Sequence, residues 1–170
     1  MKLRPYQLTV LPRLRALFAS GIRSVMLESP VGSGKTVISA YFVESAVNKG
    51  SRVAFFAHRR ELINQTYDKL KEAGVTDLAV MMANDRRKNE DAQVQVWSVD
   101  TFRARYKLDM PARWPSFDII VIDEAHRSCS NTYRAIIEYY RGCGAMILGL
   151  SATPVRTDGR GLGDMYQHLE

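Results

Sequence analysis

Residues 28–36 read ESPVGSGKT, a serine and a proline leading into two glycines around a serine, then a lysine and a threonine. Upstream, RSVMLES (23–29) is an apolar run that reads as a strand. Downstream, Thr36 to Lys49 reads as a helix, apolar on most sides and stopped by Gly50. Strand, glycine loop, Lys-Thr and helix form a phosphate cradle. The glycines let the backbone curl until amide protons converge, and the helix N-terminus adds its partial positive charge. On this reading Ser29, Pro30, Val31, Gly32, Ser33 and Gly34 form the loop. Lys35 reaches the β and γ phosphates of ATP, and the Thr36 hydroxyl holds Mg2+. Ser29 stands where glycine or alanine is usual, and is small enough for the place. The bland alternative is a glycine turn that only joins strand to helix, so a second site element is needed on another strand.

The chain supplies one. Ile119 to Ile122 is a four-residue apolar run that leads into Asp123-Glu124-Ala125-His126. An aspartate closing a buried strand is costly unless it meets a cation or donors, and magnesium coordination resolves that cost. Glu124, one residue on, can orient and activate an attacking water.

Between and around these two elements the pattern alternates strand and helix. Pro5 to Ala19 has leucines near helical spacing, and Pro12 is expected to kink or divide that helix. RVAFFA (52–57), LAVMM (78–82) and QVQVWS (93–98) read as strands, with a helix over Glu61 to Ala73 and a short one over 99–106. Ser130 caps a helix to Arg141, and AMILGLSATP (145–154) supplies the last strand. NDRRKNED (84–91) is a charged loop in which Arg86, Arg87 and Lys88 are expected to be solvated. Trp97 and Trp114 are expected to pack in the core. The resulting fold class is α/β, a mostly parallel sheet with helices on both faces. Such sheets bind ligands at the carboxyl ends of their strands, where all of these polar motifs fall.

Taken together, the cradle and DEAH resemble those of the superfamily 2 DEAD/DEAH-box helicases and translocases, specifically their N-terminal RecA-like P-loop NTPase domain. The resemblance covers nearly the whole chain. LRPYQ (3–7) looks like the element before the cradle, which implies that Gln7 reads the adenine edge. AHRREL (57–62) and SVDTF (98–102) resemble nucleic-acid contact motifs, with Asp100 replacing the more usual glutamine. SATP (151–154) is similar to the motif that couples hydrolysis to domain movement, and the resemblance makes His126 the link from the γ-phosphate to Ser151 and Thr153. Arg59, Arg60, Ser98 and Thr101 suit phosphate contacts that read no bases. Two cations at a helix N-terminus oppose its dipole, which hints at an anion there. No catalytic role is read for His58.

Composition fits these expectations. The 24 basic residues exceed the 18 acidic ones by six, which permits a polyanionic partner without requiring one. No apolar run reaches membrane-spanning length, and the basic N-terminus lacks a signal-peptide core, so a cytoplasmic protein without membrane partners is expected. Cys129 and Cys143 are the only cysteines and are expected to be reduced and partly buried.

The resemblance also implies what residues 1–170 lack, a second RecA-like domain carrying the arginine fingers. That domain is expected in the same longer chain or in another copy, and without it hydrolysis should be weak. Nucleic acid is the expected partner, DNA favoured over RNA. Two other classes stay open: a nucleic-acid or protein binding module that uses nucleotide only structurally, and a small-molecule kinase, which leaves SATP and DEAH unexplained.

Overall fold

The computed structural model describes residues 3–30, 32–108, 110–125, 131–152 and 165–170. Helix α1 (Pro5–Ala19) opens with Pro5 in its first turn, where a missing N–H costs nothing, and the Arg4 N–H donates to Gln7 Oε1 at 2.9 Å. Helix α1 runs through Pro12 without dividing. Pro12 and Leu8 both lie on the exposed side of the helix, where the carbonyl that Pro12 leaves without a partner can meet water.

The parallel strands β1 (Ser24–Glu28), β2 (Val53–Ala57), β3 (Leu78–Met81), β4 (Val94–Ser98), β5 (Ile119–Ile122), β6 (Met146–Ser151) and β7 (His168–Leu169) form a sheet in the order β3-β4-β2-β5-β6-β1-β7. Every pairing among the described residues is parallel. Strand β7, two residues at the edge beside β1, is absent from the sequence expectation because so short a segment carries no periodicity.

Side chains alternate between the two faces of each strand. Val25, Leu27, Phe55, Val121 and Leu148 face the layer of α1, α2 (Lys35–Val47) and α3 (Arg60–Glu72). Met26, Phe56, Ile120, Ile122 and Ile147 face the layer of α4 (Val99–Arg105) and α5 (Asn131–Gly142). Trp97 and Trp114 are buried in the second layer, and Phe102 packs edge-on to both. Gly149 on β6 is a place where only glycine fits, because a Cβ there would come within 2.6 Å of the Tyr166 ring.

Two expectations change. Arg87 is only partly solvated, its side chain 34% exposed. Its Nε and Nη2 donate to Asp85 at 2.9 and 2.7 Å, Nη2 also donates to Asn64 Oδ1 at 2.7 Å, and its guanidinium lies over the Tyr67 ring. A planar guanidinium can bind two acceptors and stack on a ring at once, which a count of local charges does not reveal. Cys143 is exposed rather than partly buried, since it follows the end of α5 and precedes the turn at Gly144; Cys129 lies outside the described residues. Among the described residues no helix is long and apolar enough to cross a membrane.

Candidate functional site

Parallel strands bring all their carboxyl ends to one rim. From β1 inward the rim carries the cradle, then Ser151 on β6, Asp123 after β5, His58 after β2 and Ser98 on β4. The order along the rim follows sheet topology, so elements distant in sequence become neighbours.

At the β1 end, Gly32 and Gly34 have φ of 79° and 87°, a region that disfavours any side chain. The Ser33 N–H donates to the Pro30 carbonyl at 3.1 Å, Ser29 Oγ donates to Ser33 Oγ at 2.5 Å, and Gly34 caps the start of α2. Lys35 arches over this loop, its Nζ donating to the carbonyls of Ser29 at 2.7 Å and Pro30 at 3.3 Å. Burial draws the Lys35 ammonium below its ordinary pKa, while Asp123 and Glu124 oppose that shift. The opposition records how close the two motifs lie. Val31 lies outside the described residues.

Gln7 braces the cradle. It is buried, and its Nε2 donates to the Ser33 carbonyl at 3.3 Å and to Tyr6 Oη at 3.3 Å. A Cβ on Gly34 would stand 2.7 Å from that nitrogen. The carboxamide thus faces the loop and the α1 cap, an arrangement that a linear motif does not disclose.

At the β5 end, Asp123 is buried and its N–H donates to the Phe56 carbonyl at 3.0 Å, extending the β2–β5 ladder one step. Asp123 Oδ1 accepts from the Glu124 N–H at 2.9 Å. Glu124 has φ of 51°, a left-handed conformation that costs a residue with a Cβ about 1–2 kcal/mol. Strain of this kind persists where the surroundings fix it. The Glu124 carboxylate lies against His58, with Oε2 3.2 Å from Nε2. His58 is the residue that sequence reasoning passed over.

The two ends share a cleft of about 620 Å3. Lys35 and Thr36 line one side, Asp123 and Glu124 another, and Leu62 and Gln65 of α3 a third. The Thr36 hydroxyl and the Asp123 carboxylate are hard oxygen donors on one cavity, a set that fits magnesium. Ser151 is buried between them on β6, with its carbonyl accepting from the Ser29 N–H at 3.0 Å. His126 and Thr153 lie outside the described residues.

Farther along the rim, Arg59 caps α3 and Arg60 begins it, both exposed. Ser98 is buried and its side chain accepts from the Thr101 N–H at 3.4 Å, capping α4. Thr101 Oγ1 in turn accepts from the Ala83 N–H at 3.2 Å. The arginines are therefore open to a ligand, whereas the two hydroxyls already hold local backbone.

Comparison with known proteins bears on the family and the fold. Residues 1–156 match the family model described as the type III restriction enzyme, res subunit. A Saccharomyces cerevisiae protein named as an ATP-dependent helicase, IRC3, is 33% identical over an alignment covering 94% of this chain and 24% of its own length. The solved Hef helicase domain of Pyrococcus furiosus superposes with a TM-score of 0.77 at 22% identity, covering 99% of this chain and 37% of that one. A nuclease-deletion mutant of the type ISP restriction-modification enzyme LlaGI, solved with a DNA substrate mimic, gives a TM-score of 0.74 at 18% identity, covering 99% and 19%. The chain spans 24 to 28% of the length of some curated relatives it matches and 9 to 11% of others. The architecture is the RecA-like fold of helicase motor domains.

Proposed function

The chain belongs to the family of the type III restriction enzyme res subunit, within the superfamily 2 helicases, and on that premise we propose that it is the ATP-binding motor domain of a nucleic-acid-dependent ATPase, a translocase or helicase. The observation that carries the reading is the single cleft onto which Lys35, Thr36, Asp123 and Glu124 all open.

Each residue then has a task set by its chemistry. Lys35 exchanges the carbonyls of Ser29 and Pro30 for the β and γ phosphates, a stronger partner for an ammonium. The amides around Gly32, Ser33 and Gly34, with Pro30 and Val31 completing the loop, surround the phosphate chain. Thr36 and Asp123 would hold magnesium, which when bound neutralises charge on the β and γ oxygens. Glu124 orients the attacking water and takes its proton. Gln7, seated on Ser33, reads the adenine edge. His126 links the γ-phosphate to Ser151 and Thr153, which couple hydrolysis to domain movement.

Arg59 and Arg60 bind the backbone of the nucleic acid, with Ser98 and Thr101 shaping the adjoining rim. DNA is favoured over RNA, in keeping with the DNA mimic bound by LlaGI. A second RecA-like domain, in the same longer chain or another copy, supplies the arginine finger, worth about 10³–10⁵ in rate in related phosphoryl transfer. The cytoplasm is the proposed location.

The test is steady-state ATP hydrolysis with single-stranded DNA, duplex DNA or RNA, using Lys35→Ala as the blank. Lys35-dependent binding with turnover that rises when a second domain is supplied supports the reading, and the stimulating polymer identifies the track. Nucleic-acid binding that is indifferent to ATP and to Lys35 would instead favour a binding module.

A further inference from the structure

Strands β2 and β5 pair in parallel with Phe56 opposite Ile122, and the Asp123 N–H donating to the Phe56 carbonyl carries that register past the strand ends. Two residues on, the same register sets His58 opposite Glu124. Neighbouring strands are about 4.8 Å apart, so the paired ends of β2 and β5 bring these two positions side by side. Their side chains meet, with Nε2 and Oε2 3.2 Å apart and exposures of only 20% and 30%.

The pair lies between two regions given different tasks above. Glu124 is held from one side by the Asp123 carboxylate, at a backbone φ of 51°. His58 is followed at once by Arg59, the N-cap of α3, and by Arg60, the first residue of that helix. Helix α3 is anchored through buried Ile63, Thr66 and Leu70, and its Leu62 and Gln65 line the cleft that Glu124 lines. A phosphate seated on Arg59 and Arg60 would pull on the peptide units next to His58, and a shift of well under a residue's length would change a 3.2 Å contact.

We propose that His58 is a positioning residue that couples nucleic acid at Arg59 and Arg60 to the carboxylate of Glu124. The proposal rests on the reading of the cradle and of the arginine contact given above. His58 touches neither phosphate; it acts by fixing where the Glu124 carboxylate points. Nucleic-acid occupancy and nucleotide occupancy are then linked through one imidazole, and linkage requires the effect to be equal in both directions.

The experiment measures the affinity of the 170-residue chain for a magnesium-loaded non-hydrolysable ATP analogue, with and without an oligothymidylate of about 20 nucleotides. In the wild type the oligonucleotide should change nucleotide affinity about fivefold or more. In His58→Ala that factor should fall to within about twofold of unity, with nucleotide affinity in the absence of oligonucleotide little changed. His58→Gln, which keeps a polar side chain of similar reach beside the carboxylate, should restore most of the coupling. Added to Glu124→Gln, His58→Ala should cause no further loss, which separates the pair from a general folding defect. The His58 ring nitrogen resonances should move both on Glu124→Gln and on adding oligonucleotide.

Equal coupling in the wild type and His58→Ala, or none in either, would overturn the proposal while leaving Lys35-dependent binding intact. Nucleotide affinity unaffected by Lys35→Ala would overturn the cradle reading and this proposal with it.

Discussion

The loop after β1 and the loop after β3 leave the same rim of the sheet and are held in opposite ways. The first is fixed by backbone, with glycines at positive φ and a lysine resting on the loop's own carbonyls. The second is fixed by side chains, with Arg87 clasping Asp85 and Asn64 while stacking on Tyr67. A loop whose cation is bound to neutral carbonyls can give that cation to a phosphate with net gain. A loop whose cation already holds a carboxylate has little to offer a ligand. Both loops carry glycine- or charge-rich sequence, yet on the proposed function only the first exchanges partners.

The largest break in this comparison should come from Lys35→Ala, which removes the exchangeable cation. Affinity for ATP with magnesium should fall by about 100-fold or more, read by calorimetry, with little change in Tm because its present partners are loop carbonyls. Next, Gly34→Ala puts a Cβ at φ of 87° and 2.7 Å from Gln7 Nε2. Nucleotide affinity should fall by about tenfold, about 1.4 kcal/mol, and trimming Gln7 in the same chain should recover part of it. The opposite loop gives the mirror result. Arg87→Ala should lower stability by about 1–2 kcal/mol in urea titration and leave nucleotide affinity unchanged.

A smaller effect sharpens the contrast further. Hydrogen bonding from Arg87 draws the Asp85 carboxyl from its ordinary 3.8 down to about 2. A carboxyl depressed on folding binds fewer protons in the native state, so its contribution is complete above about pH 4 and is lost as pH falls toward 2. Stability should therefore decline across that window in the wild type and more shallowly in Arg87→Ala. Identical acid profiles would remove the clasp from the account.

Much of the fold could be read from the sequence because each parallel strand is buried on both faces and announces itself as an apolar run, as Ile119 to Ile122 does. Element ends shifted by one or two residues, for example a second helix beginning at Lys35 rather than Thr36. The glycine loop after β1 and the carboxylate closing β5 could also be read, since both have local causes. Whatever depends on sheet order could not. Insertion of β6 between β1 and β5 sets Ser151 beside the cradle, and the β2–β5 pairing sets His58 against Glu124, although 65 residues separate that pair in the chain. The burial of Gln7 behind Gly34 and the capture of Arg87 by Asn64 likewise arise between elements, where no linear pattern records them.

The central claim is that cradle and DEAH form one site for ATP with magnesium. The direct test is ATP affinity, with and without magnesium, in the wild type and in Asp123→Ala. The account predicts that magnesium strengthens wild-type binding by about tenfold or more and does little for Asp123→Ala, with Lys35→Ala weak in both conditions. An equal magnesium effect in the wild type and Asp123→Ala would contradict it, because the cradle would then bind its ligand without the second motif.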